Sequence, residues 1–252
     1  MEAKRIVNKF LVATLLVVAA VSCKTEDTST CMNFRLVITP TYHGNIVSQD
    51  SVYRNSFQQR FRIETARCYL SDVYLHKSNG DSSLVKDIAL YNFLNEVSES
   101  VSMESDTYTG LSFGVGIPAN RNKNVDPSTY PNSSPLSVQG SNGMFWYWNT
   151  GYIFMKFDGH CDTTITATGD LLQSYAYHVG DDPLYRHVSL NFPAMNVGEG
   201  IASLQVNLAL DSVLDKQADP VDLRVDYLTH TTANFPLAER IMNHFVSGFH
   251  LP

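Results

Sequence analysis

Histidine is the residue type in this chain best suited to chemistry. His43, His76, His160, His178, His187, His230, His244 and His250 are each able to offer a neutral imidazole nitrogen to a metal ion. The segment Tyr175 to Val188 reads as a β-hairpin turning at Asp181–Leu184, because Asp-Asp-Pro is strong turn chemistry. That register sets His178 opposite His187. Directly opposed residues have Cβ atoms roughly 4.5 to 5.5 Å apart, close enough for two imidazoles to share one ion. The second concentration is aromatic: Gly143 to Lys156 holds Phe145, Trp146, Tyr147, Trp148, Tyr152 and Phe154, including both tryptophans of the chain. Trp146 and Trp148 fall on one face of an extended segment, and rings of that size ordinarily dominate a core.

Enzyme signatures are missing from the sequence. There is no Gly-x-Ser-x-Gly elbow, no phosphate-cradling glycine loop and no His-Glu-x-x-His helix, and the carboxylates are dispersed rather than paired for acid/base work. The chain reads as a binding protein, not an enzyme. Cys31, Cys68 and Cys161 match no zinc spacing and read as structural, with one bridge and one free thiol among the arrangements an odd number allows, and with a soft-metal ligand role for one of them as the alternative.

The elements that must carry these side chains are strands. Period-two alternation marks Phe34-Leu36-Ile38, Phe61-Ile63, Leu111 to Ile117, Ile153-Met155-Phe157 and Leu204 to Leu210, as expected for half-buried β-strands. Asn79-Gly80-Asp81 is a turn, and Asn120 to Gly143 is a long loop rich in Asn, Ser, Pro and Gly, of a length that often serves function. Helical spacing appears only near the end, where Pro236 can open a helix and Leu237, Ile241 and Phe245 recur at i, i+4, i+8 before Gly248. The expectation is an all-β antiparallel sandwich over 33–252, with the long loop and a C-terminal amphipathic helix docked on it.

The start of the chain follows secretion grammar. Lys4, Arg5 and Lys9 precede an apolar run from Phe10 to Val21, too short to span a bilayer. Ala19, Ala20 and Ser22 lead into Cys23, which resembles the lipid-accepting cysteine of bacterial lipoproteins, with Ala20 and Val21 where that motif usually carries Leu and a small residue. Residues 1–22 are therefore expected to be a signal peptide, and 23–32 a lipidated cysteine with a polar tether. The expected location is a lipid-anchored one at the outer membrane, periplasmic or at the cell surface. Cleavage before Cys23 removes three basic residues and Glu2 from the 18 basic and 25 acidic side chains, leaving 15 against 24. Nucleic acid is not an expected partner for so acidic a chain.

Four stretches resemble the MbnP-like family of copper-associated extracytoplasmic proteins: Ala66 to Leu75, Tyr108 to Ile117, Gly143 to Lys156, and Tyr177-His178-Val179-Gly180. The aromatic stretch is the most specific of them. The resemblance implies a β-rich extracytoplasmic protein that binds copper. It singles out His178, in a His-x-Gly element after the aromatic strand, and His230, in Thr229-His230-Thr231 before the helix. In some members of that family a tryptophan is oxidised to kynurenine by a di-haem, cytochrome c peroxidase-like partner, and by that resemblance Trp146 or Trp148, without distinction, would be the modified residue here. Many relatives place a histidine after the Phe-Gly-x-Gly strand; here Asn120-Arg121-Asn122 follows, and no histidine lies between His76 and His160. A surface interaction or glycan-binding lipoprotein on the same fold is the alternative. Exposed aromatics would favour glycan, and buried tryptophans near clustered histidines would favour copper.

Overall fold

Strands dominate, in the order β1 (Phe34–Tyr42), β2 (Asn45–Ile46), β3 (Tyr53–Arg54), β4 (Arg60–Lys77), β5 (Ser82–Asn92), β6 (Val97–Val101), β7 (Asp106–Val115), β8 (Phe145–Trp146), β9 (Gly151–Cys161), β10 (Gln173–Gly180), β11 (Arg186–Val197), β12 (Ala202–Ala209), β13 (Leu228–His230) and β14 (Phe249–His250). Short helices α1 (Ala119–Asn122) and α2 (Asp211–Asp215) interrupt them, and α3 (Phe235–Ser247) precedes the last strand. This is a computed structural model that describes residues 33–149, 151–164, 166–198 and 200–252. The expected signal peptide, the expected lipidation site Cys23, the expected tether and Cys31 lie outside the described residues.

Two mixed, mainly antiparallel sheets enclose one core. The smaller is ordered β14-β12-β1-β2, with β6 also on β1. Its centre is a parallel pair, β1 beside β12 with Phe34 level with Ala202, where the sequence had suggested antiparallel neighbours throughout. Parallel strands far apart in sequence carry no local turn signal.

The larger sheet is organised by the 18-residue β4. Arg67 and Cys68 pair with both β5 and β9, and Leu70, Ser71 and Tyr74 to His76 pair with both β5 and β7. A strand has two edges, so β5 occupies one while β9 and then β7 share the other. The register shifts after Ser71, and Asp72 takes a positive φ of 50°, a bulge of the kind that bends a strand. β10 lies beside β9, and β11 lies beside β7. Each of the two is antiparallel to a strand that is itself antiparallel to β4, so β10 and β11 run in the same direction.

That arrangement overturns the expected 175–188 hairpin. Asp181 does begin a turn, adopting φ 89° and accepting the Asp182 N–H, but a single 3-10 turn through Asp182–Leu184 releases the chain forward again. The segment steps sideways between two strands in line instead of reversing. β10 pairs with β9 and β13, β11 pairs with β7, and His187 stands opposite Gly114 rather than His178.

Alternation decides which side chains enter the core. Met155, Phe157, Tyr175, Tyr177 and Val179 are buried, which turns Lys156, Asp158, His160, Ser174 and His178 to the outer face. The long loop is laid against the sheet: the Tyr69 and Tyr152 hydroxyls donate to the Pro135 and Leu136 carbonyls at 2.8 and 2.6 Å. Helix α3 begins where expected. The Asn234 side chain accepts the Leu237 N–H, Pro236 fits the first turn, and Leu237, Ile241 and Phe245 are buried.

Candidate functional site

The outer face of β9, β10 and β13 brings together groups that lie far apart in sequence. Register places Lys156 opposite His178, and His178 opposite His230. The two imidazoles stack with centroids 4.6 Å apart and planes 22° apart. Thus the structure unites His178 with His230 and leaves His187 on another strand, exposed and edge-on to Tyr185 at 4.9 Å.

Asp158 orients the His178 ring of the pair. Both carboxylate oxygens are 3.1 Å from His178 Nε2, but only Oδ2 is in hydrogen-bonding geometry; Oδ1 is buried with no hydrogen-bond partner. An orphaned buried carboxylate oxygen is costly. Lys156 Nζ is 3.9 Å from Oδ2. With Nε2 committed to Asp158, His178 has Nδ1 left to offer. Burial, then the neighbouring His178, lowers the pKa of His230 below its ordinary value of 6.5, so its lone pair is free at neutral pH.

Thr231 locks the edge. It has φ 55°, a region a β-branched residue rarely occupies. There its buried hydroxyl accepts the Gly180 N–H at 2.9 Å and donates to the His178 carbonyl at 3.1 Å, tying β10 to the turn after β13. The Trp146 ring covers Gly180, two residues beyond His178: a Cβ on Gly180 would meet Trp146 Cζ3 at 2.8 Å and the Tyr152 carbonyl oxygen at 2.5 Å. Trp146 is buried, whereas Trp148, 64 % exposed, lies with its ring centroid 5.5 Å away. The two rings therefore meet in space although only one belongs to the core.

Asp158, Lys156 and Thr231 were not singled out from sequence. The alternation Ile153-Met155-Phe157 already turned Lys156 and Asp158 outward; which strand would lie beside them was the missing information. Several other histidines have local partners: His76 bridges the Ser82 and Ser112 hydroxyls, and His160 bonds Glu64 and Ser174. Cys68 and Cys161 are buried free thiols, facing Met155 and Phe61 across one strand pair and too far apart along it to bridge. Among the described residues no three His, Cys, Asp or Glu side chains are arranged to hold a metal ion. The site as it stands supplies two imidazoles and a carboxylate bound to one of them, which fits copper in donor type.

The class this defines is a two-sheet, β-rich protein with a half-buried histidine pair on the outside of its larger sheet. The chain belongs to the MbnP family, whose model matches residues 32–232. Among solved structures it is similar to MbnP from Methylosinus trichosporium, at 15 % identity over 71 % of this chain and 76 % of that one, with a TM-score of 0.47. No curated protein sequence matches it.

Proposed function

We propose that this protein is an extracytoplasmic lipoprotein, anchored through Cys23, that handles copper through His178 and His230. The observation that carries the reading is the stacked imidazole pair, with one ring held by Asp158 and the other depressed in pKa. Metal-bound histidines ordinarily have their second nitrogen fixed by a carboxylate or carbonyl, and Asp158 meets that description. Copper favours imidazole nitrogens and, if bound here, would supply one-electron redox chemistry. His178 Nδ1 and a His230 nitrogen would hold it, with the remaining positions open to solvent or to a delivered ligand. Of the tryptophans, Trp146 rests on Gly180, two residues beyond His178 in sequence, and Trp148 reaches the surface where a di-haem oxidising partner could meet it.

Copper titration of the purified protein tests the reading. His178→Ala and His230→Ala should each abolish stoichiometric binding while melting as wild type does, and His187→Ala should bind normally. Asp158→Asn should weaken binding about 10- to 100-fold. Equal binding in all four variants would remove the site. For the anchor, Cys23→Ser should move the protein from the membrane fraction to the soluble one; a variant that stays in the membrane would sink the assignment.

A second reading has its own observation, since Tyr147 and Trp148 are 68 % and 64 % exposed and such rings stack on sugar faces. Glycan binding lost in Trp148→Ala, with copper binding absent from the wild type, would favour it.

A further inference from the structure

Two strands across the sheet from His178, a cavity of about 340 Å³ opens between β5 and the long loop, lined by Arg67, Lys86, Asn92 and Asn142 over an apolar floor that includes Ile88 and Pro135. Its volume lies within the usual range for small-molecule sites, roughly 300 to 1,000 Å³. The cations around it differ in one respect. Lys86 pairs with Glu99 at 3.1 Å, and Arg121, in the adjoining cavity, pairs with Asp87 at 2.8 Å and Asp72 at 3.2 Å. Arg67 has no carboxylate within ion-pair reach among the described residues. Its cross-strand neighbours are Asn92 on β5 and another cation, Lys156, on β9. Like charges directly opposed across strands are destabilising, and this pair persists in a chain whose net charge is -7.

The guanidinium is also pinned. Its Nη1 donates to the Asn142 carbonyl at 3.0 Å, which leaves the Nε–Nη2 edge without a partner among the described residues. That edge is a planar two-donor fork matched to an oxyanion. The apolar floor selects among oxyanions, because it has a use for a carbon skeleton and none for a fully hydrated inorganic ion.

We propose that this cavity binds a small organic carboxylate, with Arg67 holding the carboxylate by its free edge and Asn92 and Lys86 at the rim. Neither His178 nor His230 lines this cavity, and the proposal does not depend on copper.

Calorimetric titration of the metal-free protein with citrate tests it, with inorganic phosphate and glucose as comparison probes. Citrate should bind saturably and glucose should not. Arg67→Gln should weaken citrate about tenfold or more, and Arg67→Lys, which keeps the charge and loses the fork, should also weaken it but by less. His178→Ala and His230→Ala should leave citrate binding unchanged, so loss of the copper reading would not touch this one. Thermal melting of each Arg67 variant establishes that the fold survives, and the Lys variant serves if the Gln variant does not fold. The proposal is overturned if citrate fails to saturate, if Arg67→Gln binds it as wild type does, or if phosphate binds as tightly as citrate.

Discussion

At the scale of single residues, the candidate site depends on what stands next to the histidines as much as on the histidines. Asp158 fixes one ring, Thr231 accepts an unfavourable φ to close the strand edge, and Gly180 leaves room for an indole. The glycine gives the most direct test. Gly180→Ala places a methyl 2.5 Å from the Tyr152 carbonyl oxygen and 2.8 Å from Trp146 Cζ3. The ring can swing away, but the backbone oxygen cannot without disturbing β9. The variant should lose about 1 to 3 kcal/mol in urea denaturation, as overpacked sites do. Its tryptophan emission should shift to the red as Trp146 leaves the core. Unchanged stability and emission would show that Trp146 does not rest on Gly180.

At the scale of elements, the sequence was most legible where a signal is local. The alternating runs became β1, β4, β7, β9 and β12, Asn79-Gly80 became the β4–β5 turn, and Leu237, Ile241 and Phe245 became the buried stripe of α3. The step from β10 to β11 was misread because the turn residues Asp181, Asp182 and Pro183 are the same whether a chain reverses or jogs sideways. What distinguishes the outcomes is that β9 and β7 lie in line along β4, and no short window contains that. The meeting of His178 with His230 is legible only through the family resemblance, since a parallel pairing across 52 residues has no turn to announce it. The C-terminal helix supplies a check on the legible part. Ile241 is fully buried, and Ile241→Ala should cost about 2 to 5 kcal/mol in denaturant unfolding. A loss below ~0.5 kcal/mol, the usual spread for surface positions, would mean the helix is not part of the core.

At the scale of the whole molecule, acidity should act on stability in two separate windows. His244 on α3 is buried, and that burial lowers its pKa below 6.5. The groups facing it act both ways: the Val213 carbonyl and Asp219 raise the value, while Lys216 and Arg240 lower it. His230 is depressed in the same sense. An unfolded imidazole takes its proton near 6.5, and these folded ones wait for a lower pH, so unfolding takes up protons in between. The contribution of these two groups is therefore constant above 6.5 and declines as the pH falls from 6.5 to the folded values, with a slope of up to about 1.4 kcal/mol per pH unit for each proton taken up. The carboxylates act later. Asp222, hydrogen-bonded by Arg224, is held at about 2 against an ordinary 3.8. Its contribution is complete above 3.8 and is lost only as the pH approaches 2. Urea denaturation of the metal-free protein across this range should show a first decline starting near 6.5, shallower in His244→Gln, and a second below 3.8 that His244→Gln leaves unchanged. A first decline of equal slope in wild type and variant would show that His244 does not take up a proton on unfolding.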